Sequence, residues 1–270
     1  MDAEATRRFQ TQRHFLGKIP DTAVIQGVSI LAFLVLWEAV SRTGIIFKEL
    51  VPSVFTVAVR VWNLLASGEF WPHLWISLYE IGLGFAVAAV IGVGLGILLG
   101  AHKFWRNVSE PVFLYLAATP KIIFFPICLM LLGLDTGSKM AIGALSGFFP
   151  IVICTMTGAR EVSPVLLRVA RSLRASPLQI YTKVYFPAIL RHLFAGFRLG
   201  MGVTIIGTFL GEIKLSRGGL GFLAIGFYSQ FNLASMYAVI VLIFVLAGVA
   251  NWIMGILLAR FSRYRGTLET

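Results

Sequence analysis

Three ionisable side chains fall in or beside apolar sequence: Lys121 in Ala118-Thr119-Pro120-Lys121, Arg198 in Phe197-Arg198-Leu199-Gly200, and Glu212 in Leu210-Gly211-Glu212-Ile213. A charge at the centre of a bilayer costs about 2.5–3.5 kcal/mol or more, so such residues face a polar cavity or a partner and point to the passage of a polar solute. Lys121 either lines such a cavity or snorkels toward the inner surface. Arg198 and Glu212 each face the interior of a helix bundle or flank its core. The two cations favour an anionic solute. Glu38 and Glu80 read as near-surface residues. Catalysis has less to stand on. His14, His73, His102 and His192 are scattered without metal-ligand spacing, and Cys128 and Cys154 sit in apolar runs that suit packing. No nucleophile elbow and no convincing carboxylate pair is present. There is no Gly-x-x-x-x-Gly-Lys-Ser/Thr loop, so ATP is not expected to be hydrolysed by this chain.

The elements that must position these groups are long apolar segments. Apolar residues make up 58% of the 270 and charged ones only 13%, against roughly 45–50% and about 25% in soluble domains. About 20 apolar residues cross a hydrocarbon layer. Six stretches come close to or pass that length, near 24–40, 76–100, 112–134, 140–157, 188–210 and 237–258, the third interrupted by Pro120, Lys121 and Pro126. The fold class is therefore all-α, a polytopic membrane protein with about six transmembrane helices. A tail over 1–23 precedes a single membrane domain over 24–260, and a second tail covers 261–270. Between the first two segments, Val54, Val57, Ala58, Val61, Leu64 and Leu65 keep helical spacing, Ser67-Gly68-Glu69 breaks it, and Trp71 and Trp75 suit headgroup depth. The second segment is dense in small residues, with Gly92, Gly96 and Gly100 repeating on one face, as at a close helix contact. The stretch from Phe222 to Phe231 is apolar but too short to cross.

One island interrupts this pattern. Between Ser163 and Pro187 the chain is basic and helix-forming. Ser163-Pro164 and Ser176-Pro177 each pair an N-cap with a proline at the first helical position, predicting two short helices that meet near Ala175. Leu166, Val169, Ala170 and Leu173 share one face of the first, with Arg168, Arg171, Arg174 and Leu167 on the other side. Pro187 is read as closing the second helix. Such an amphipathic helix lies on a membrane or fills a groove on a partner protein.

The net charge of +11 is better explained by topology than by nucleic acid. With the N-terminus inside, fifteen Lys and Arg fall on the inner side, six (Lys139 among them) on the outer side, and Lys121 and Arg198 within segments. Cytoplasmic loops keep the positive residues, so both termini and the island are placed in the cytoplasm of a cell whose inner membrane holds the chain.

The island and its neighbours resemble the integral membrane subunits of binding-protein-dependent ATP-binding cassette (ABC) importers, and more narrowly the nitrate/sulfonate/taurine permease group. That family's signature is Glu-Ala-Ala, three residues, Gly, nine residues, then Ile-x-Leu-Pro. Here Arg168-Val169-Ala170, Arg174 and Val184-Tyr185-Phe186-Pro187 occupy the same spacing. Arg168 and Arg174 replace the leading Glu and the Gly. Leu50-Val51-Pro52-Ser53, Trp71-Pro72-His73-Leu74 and Gly218-Gly219-Leu220-Gly221 also look like that group. The resemblance implies a coupling region at about 160–187. Leu167, Arg168, Ala170, Arg171, Leu173, Arg174, Ala175, Ser176 and Pro177 would dock on a separate ATPase subunit that binds ATP and Mg. It also implies an extracytoplasmic substrate-binding protein, a second permease copy or a paralogue, no cofactor in this chain, and import of a small anion of the nitrate, sulfonate or taurine kind. An ion-gradient-driven secondary transporter is the alternative, since a broken charged segment suits it too.

Overall fold

A computed structural model describes residues 22–43, 50–214 and 216–266. The expectations for residues 1–20, for Lys48 and for 267–270 lie outside the described residues. By internal packing the chain divides into two units, residues 1–59 and 60–270.

Every regular element among the described residues is helical. In the first unit, α1 (Thr22–Thr43) presents an apolar surface, with Ile30, Phe33 and Leu36 each more than 60% exposed. Its C-terminal end is tied to the following chain. Trp37 Nε1 donates to the Pro52 carbonyl at 3.1 Å, and the Val54 amide donates to Glu38 Oε2 at 3.0 Å, while Arg42 pairs with Glu38 Oε1. Glu38 therefore caps the start of α2 (Val54–Ala66), the amphipathic helix expected there, which runs across the division between the units.

The second unit is built around α6 (Thr136–Arg160), whose neighbours are α3 (Phe70–Ala101) on one side and α9 (Phe186–Lys214) on the other. Small residues allow the approach. A β-carbon on Gly96 would lie 2.5 Å from Thr155 Cβ, and one on Gly100 would lie 2.8 Å from Ala159 Cβ, whereas Gly82 and Gly94 on the far side of α3 meet nothing within 4 Å. On the other flank of α6, Gly143 and Gly147 receive the buried hydroxyls of Thr208 and Thr204, which have no conventional hydrogen-bond partner. Close contact of this kind replaces hydrophobic attraction as the glue between helices in lipid. The outward surfaces are apolar: Tyr115, Met130, Leu131 and Phe244 are each more than 70% exposed, as bilayer-facing residues are.

Five helical spans are long and apolar enough to cross a membrane: Val24–Thr43, Phe70–Ala101, Thr136–Arg160, Pro177–Lys214 and Leu233–Leu257. The interrupted third segment is a bent pair. Helix α4 (Lys103–Ala118) ends at Thr119-Pro120. A 3-10 turn (Lys121–Phe124) and α5 (Phe125–Leu132) then leave at 85° to it. Counted as one span, the pair makes six. The last helix, α11 (Leu233–Gly266), continues past residue 260, where the sequence suggested a tail.

The island forms α7 (Pro164–Ser172) and α8 (Pro177–Ile180), with both predicted caps in place. Ser163 Oγ accepts from the Val165 amide at 3.3 Å, and Ser176 and Gln179 form a reciprocal capping box. One expectation is corrected: Pro187 does not close the helical run. A π-helical turn (Tyr181–Tyr185) precedes it, and the helix proceeds without a break from Pro177 to Lys214. The wider turn accommodates a residue that has no amide to donate.

Candidate functional site

Near the N-terminal end of α3, His73, Ser77 and Glu80 are spaced to share one face, and all three turn into the bundle. Ser77, Glu80, Lys139 from the first turn of α6 and Glu212 from the last turn of α9 are each no more than 1% exposed. The Ser77 hydroxyl donates to Glu212 Oε1 at 2.6 Å, and the Gly221 amide donates to Glu212 Oε2 at 2.6 Å. The Leu220 amide donates to Ser77 Oγ at 2.8 Å, and the Gly219 amide to His73 Nδ1 at 3.2 Å. The glycine turn is thus bound amide by amide to α3 and α9. It delivers α10 (Leu220–Ser229), the short apolar helix the sequence indicated. Gly219 has φ 101°, and a β-carbon there would sit 2.6 Å from both Glu212 carboxylate oxygens, so only glycine fits.

Lys139 Nζ donates to the Leu134 carbonyl and, at 2.6 Å, to the Asp135 carbonyl, closing the turn before α6. Its charge also faces Glu80 and Glu212. Glu80 Oε2 is buried with no hydrogen-bond partner. One sequence reading is corrected here: Glu80 is not near-surface but buried, and Lys139, counted by sequence among the outer-side cations, is buried with it in the first turn of α6. Both lie in a cluster that neutralises part of its charge internally, which is how ionisable groups persist among membrane helices. The signal was available. Ser77, Glu80, Gly84, Ala88, Gly92, Gly96 and Gly100 continue one buried stripe along α3.

Lys121 takes another role. Pro120 stops α4 and leaves its last carbonyls without intrahelical donors. Lys121 Nζ supplies them, donating to Ala117 O at 2.6 Å and to Thr119 O at 2.5 Å, and lies 4.8 Å from the Phe149 ring centre. Phe149 belongs to an aromatic group with Phe113 and Phe148. Arg198 is exposed on α9 and its Nε donates to Asn251 Oδ1 on α11 at 2.8 Å. Glu212, fully buried with both oxygens engaged, is a structural anchor. The structure does not bring Lys121, Arg198 and Glu212 into one site.

The island is coupled to the bundle by packing. Ala159, Val162, Tyr185 and Ile189 form a buried cluster that Ile97, Ala101, Leu167, Ile180 and Tyr181 close over. Leu167, placed among the arginines by its position on α7, is the residue that reaches this cluster, and Ala170 is buried beside it. Leu166, Val169 and Leu173, of the apolar face expected to meet a membrane or a partner's groove, are 51%, 51% and 77% exposed, while Ala170 of the same face is buried. They line a groove of about 460 Å³ whose other wall includes Lys183, Val184 and Pro187. Arg174 has φ 54°, a left-handed conformation, in the turn after α7.

A family model described as "Binding-protein-dependent transport system inner membrane component" matches residues 92–263, more than half of the chain. The chain belongs to this family: it is a multi-pass inner-membrane permease subunit of an ABC importer. It is a transport subunit and not an enzyme, ATP hydrolysis in such importers belonging to separate ATPase subunits. It is similar to the putative aliphatic sulfonates transport permease protein SsuC of Bacillus subtilis (strain 168), at 29% identity over 91% of this chain and 89% of the relative. The nitrate import permease protein NrtB of Synechocystis is 31% identical over 73% of this chain and 68% of its own. The bicarbonate transport system permease protein CmpB of Synechocystis is 29% identical over 74% and 72%. Among solved structures, the MetNI methionine ABC transporter in inward-facing conformations shares the fold, with a TM-score of 0.62 at 20% identity, covering 73% of this chain and 96% of that one. The ion-gradient alternative is not favoured by these relatives.

Proposed function

We propose that the chain imports a small anion, with residues 160–187 docking on a cytoplasmic ATPase and the Ser216–Gly221 side facing an extracytoplasmic binding protein. The reading has both termini in the cytoplasm, the ATPase holding ATP and Mg, and a second copy of this chain or a paralogue completing the pathway. The observation that carries it is the island's construction. Leu167 ties α7 to the ends of α3, α6 and α9 through the cluster around Tyr185 and Ile189, and Ala170 is buried, while the rest of α7 stays exposed. A push on α7 is thereby a push on the three helices that form the bundle, which is what conversion of ATPase closure into membrane-helix motion requires. Arg168, Arg171, Leu173, Arg174, Ala175, Ser176 and Pro177 are the docking candidates.

The anionic solute rests on two supports. The solutes for which the three relatives above are named, aliphatic sulfonates, nitrate and bicarbonate, are all anions. Lys121 and Arg198 are cations borne on apolar segments, and Lys121 sits at the 85° break beside an aromatic wall. The test is ATP-driven uptake into proteoliposomes carrying the complete importer, offering an alkanesulfonate, nitrate and bicarbonate in turn. Uptake of one of these anions, reduced in Lys121→Met, supports the reading; uptake of none of them, with a cationic or neutral solute taken up instead, contradicts it.

A further inference from the structure

From the exposed face of α7 we infer that the ATPase surface received by this chain is acidic, so that docking is set by charge as well as by shape. The inference rests on the docking role proposed above and names the chemistry of the partner. Arg168, Arg171 and Arg174 are all exposed, and Lys183 stands on the opposite lip of the groove. From residue 162 to residue 211 the sequence holds no Asp or Glu, and no described carboxylate forms a salt bridge with any of these four cations. The apolar side of the same helix, Leu166, Val169 and Leu173, is more than half exposed. Exposed arginines with no carboxylate of their own are complemented by carboxylates on the surface that docks over this helix, with Lys183 supplying a further cation at the apolar groove.

Three occupants compete for such a face. A second copy of the chain presents the same cations and repels itself there. An anionic lipid surface would attract the arginines, but it is fluid and does not require a fixed turn. Here the turn is fixed: the Ala175 amide donates to the Ala170 carbonyl at 3.0 Å, the Ser176–Gln179 capping box closes its far side, and Arg174 is held with φ 54°, a conformation that residues other than glycine rarely adopt. A strained residue maintained at an exposed turn points to a shaped partner, since a defined surface rewards a defined position. Arg168 and Arg174 also stand where the family signature has Glu and Gly. A partner matched to Glu at the first position carries a cation there and meets Arg168 as like charge against like, so ATPases serving Glu-bearing permeases should pair poorly with this chain.

The test uses the full chain in nanodiscs and the ATPase that co-purifies with it from native membranes. Retention of the ATPase should fall about tenfold or more in Arg168→Glu/Arg171→Glu, persist in Arg168→Lys/Arg171→Lys, and weaken steadily as salt is raised. Retention unaltered by charge reversal and by salt would overturn the acidic-partner inference while leaving docking itself intact. Failure of the unaltered chain to retain any ATPase at low salt would instead strike the docking role proposed above. If phosphatidylglycerol in the nanodisc, rather than the ATPase, protects Arg168 and Arg171 from trypsin, the face belongs to lipid and the inference is wrong.

Discussion

Ser77 and Glu212, 135 residues apart in sequence, meet with the serine hydroxyl 2.6 Å from a carboxylate oxygen, and each also receives a backbone amide from the glycine turn. One short contact therefore joins α3, α9 and α10. Both Glu212 oxygens act as acceptors, so an amide in its place sets an NH2 group against a donor. Glu212→Gln and Ser77→Ala should each lower unfolding stability by about 1–3 kcal/mol. Their double variant should lose clearly less than the sum, because the two changes break one network. Thermal melts of the detergent-solubilised chain measure this. Additive losses would show that the two residues do not act together.

Helix α6 gives a paired prediction on its α3 side. Gly96→Ala drives a methyl into Thr155 and should destabilise by about 1–3 kcal/mol, as overpacking does. Gly94→Ala, two residues away, meets nothing within 4 Å and should be neutral or stabilising by up to about 1 kcal/mol through its helix preference. The same melts read both, and equal effects would contradict the interface described.

Lys121 caps the broken helix, so Lys121→Met should cost about 1 kcal/mol in stability through loss of two carbonyl partners. Lys121→Arg should restore much of that loss. Anion uptake normalised to folded protein separates a pathway role from a capping role: it falls in Lys121→Met if the cation also meets the solute, and stays at the unaltered level if capping is all it does.

Arg174→Gly should relieve the left-handed strain and slow amide exchange across the turn after α7, by about 1 kcal/mol of opening free energy. Faster exchange would mean that the Arg174 side chain holds the turn more strongly than its backbone strains it.

Much of this architecture is legible in sequence, because bilayer-crossing helices need long apolar runs and capped helices need recognisable first residues. Ser163, Ser176, the break at Pro120 and the Gly92-Gly96-Gly100 face all lie where residue chemistry puts them. Burial of Glu80 and Lys139 was missed because a lone charge near the end of an apolar run looks the same whether it meets headgroups or a partner from a distant helix. Only tertiary structure brings Glu212 and the glycine turn to α3. Pro187 misled for a related reason: a proline ends an α-helix unless the preceding turn widens, and a π turn leaves no sequence mark that one chain reveals. Leu167, flanked by arginines in projection, turns to the bundle, which the apolar pattern of α7 alone does not reveal, while Leu166, Val169 and Leu173 stay exposed.

The measurement that bears most directly on the central claim is purification of the tagged chain from native membranes in gentle detergent, with mass spectrometry of what accompanies it. A stoichiometric ATP-binding subunit, retained by the unaltered chain and lost on deleting residues 164–187, is the predicted result. Recovery of the chain alone across several detergents, with solute uptake driven by an ion gradient and indifferent to that segment, would contradict it.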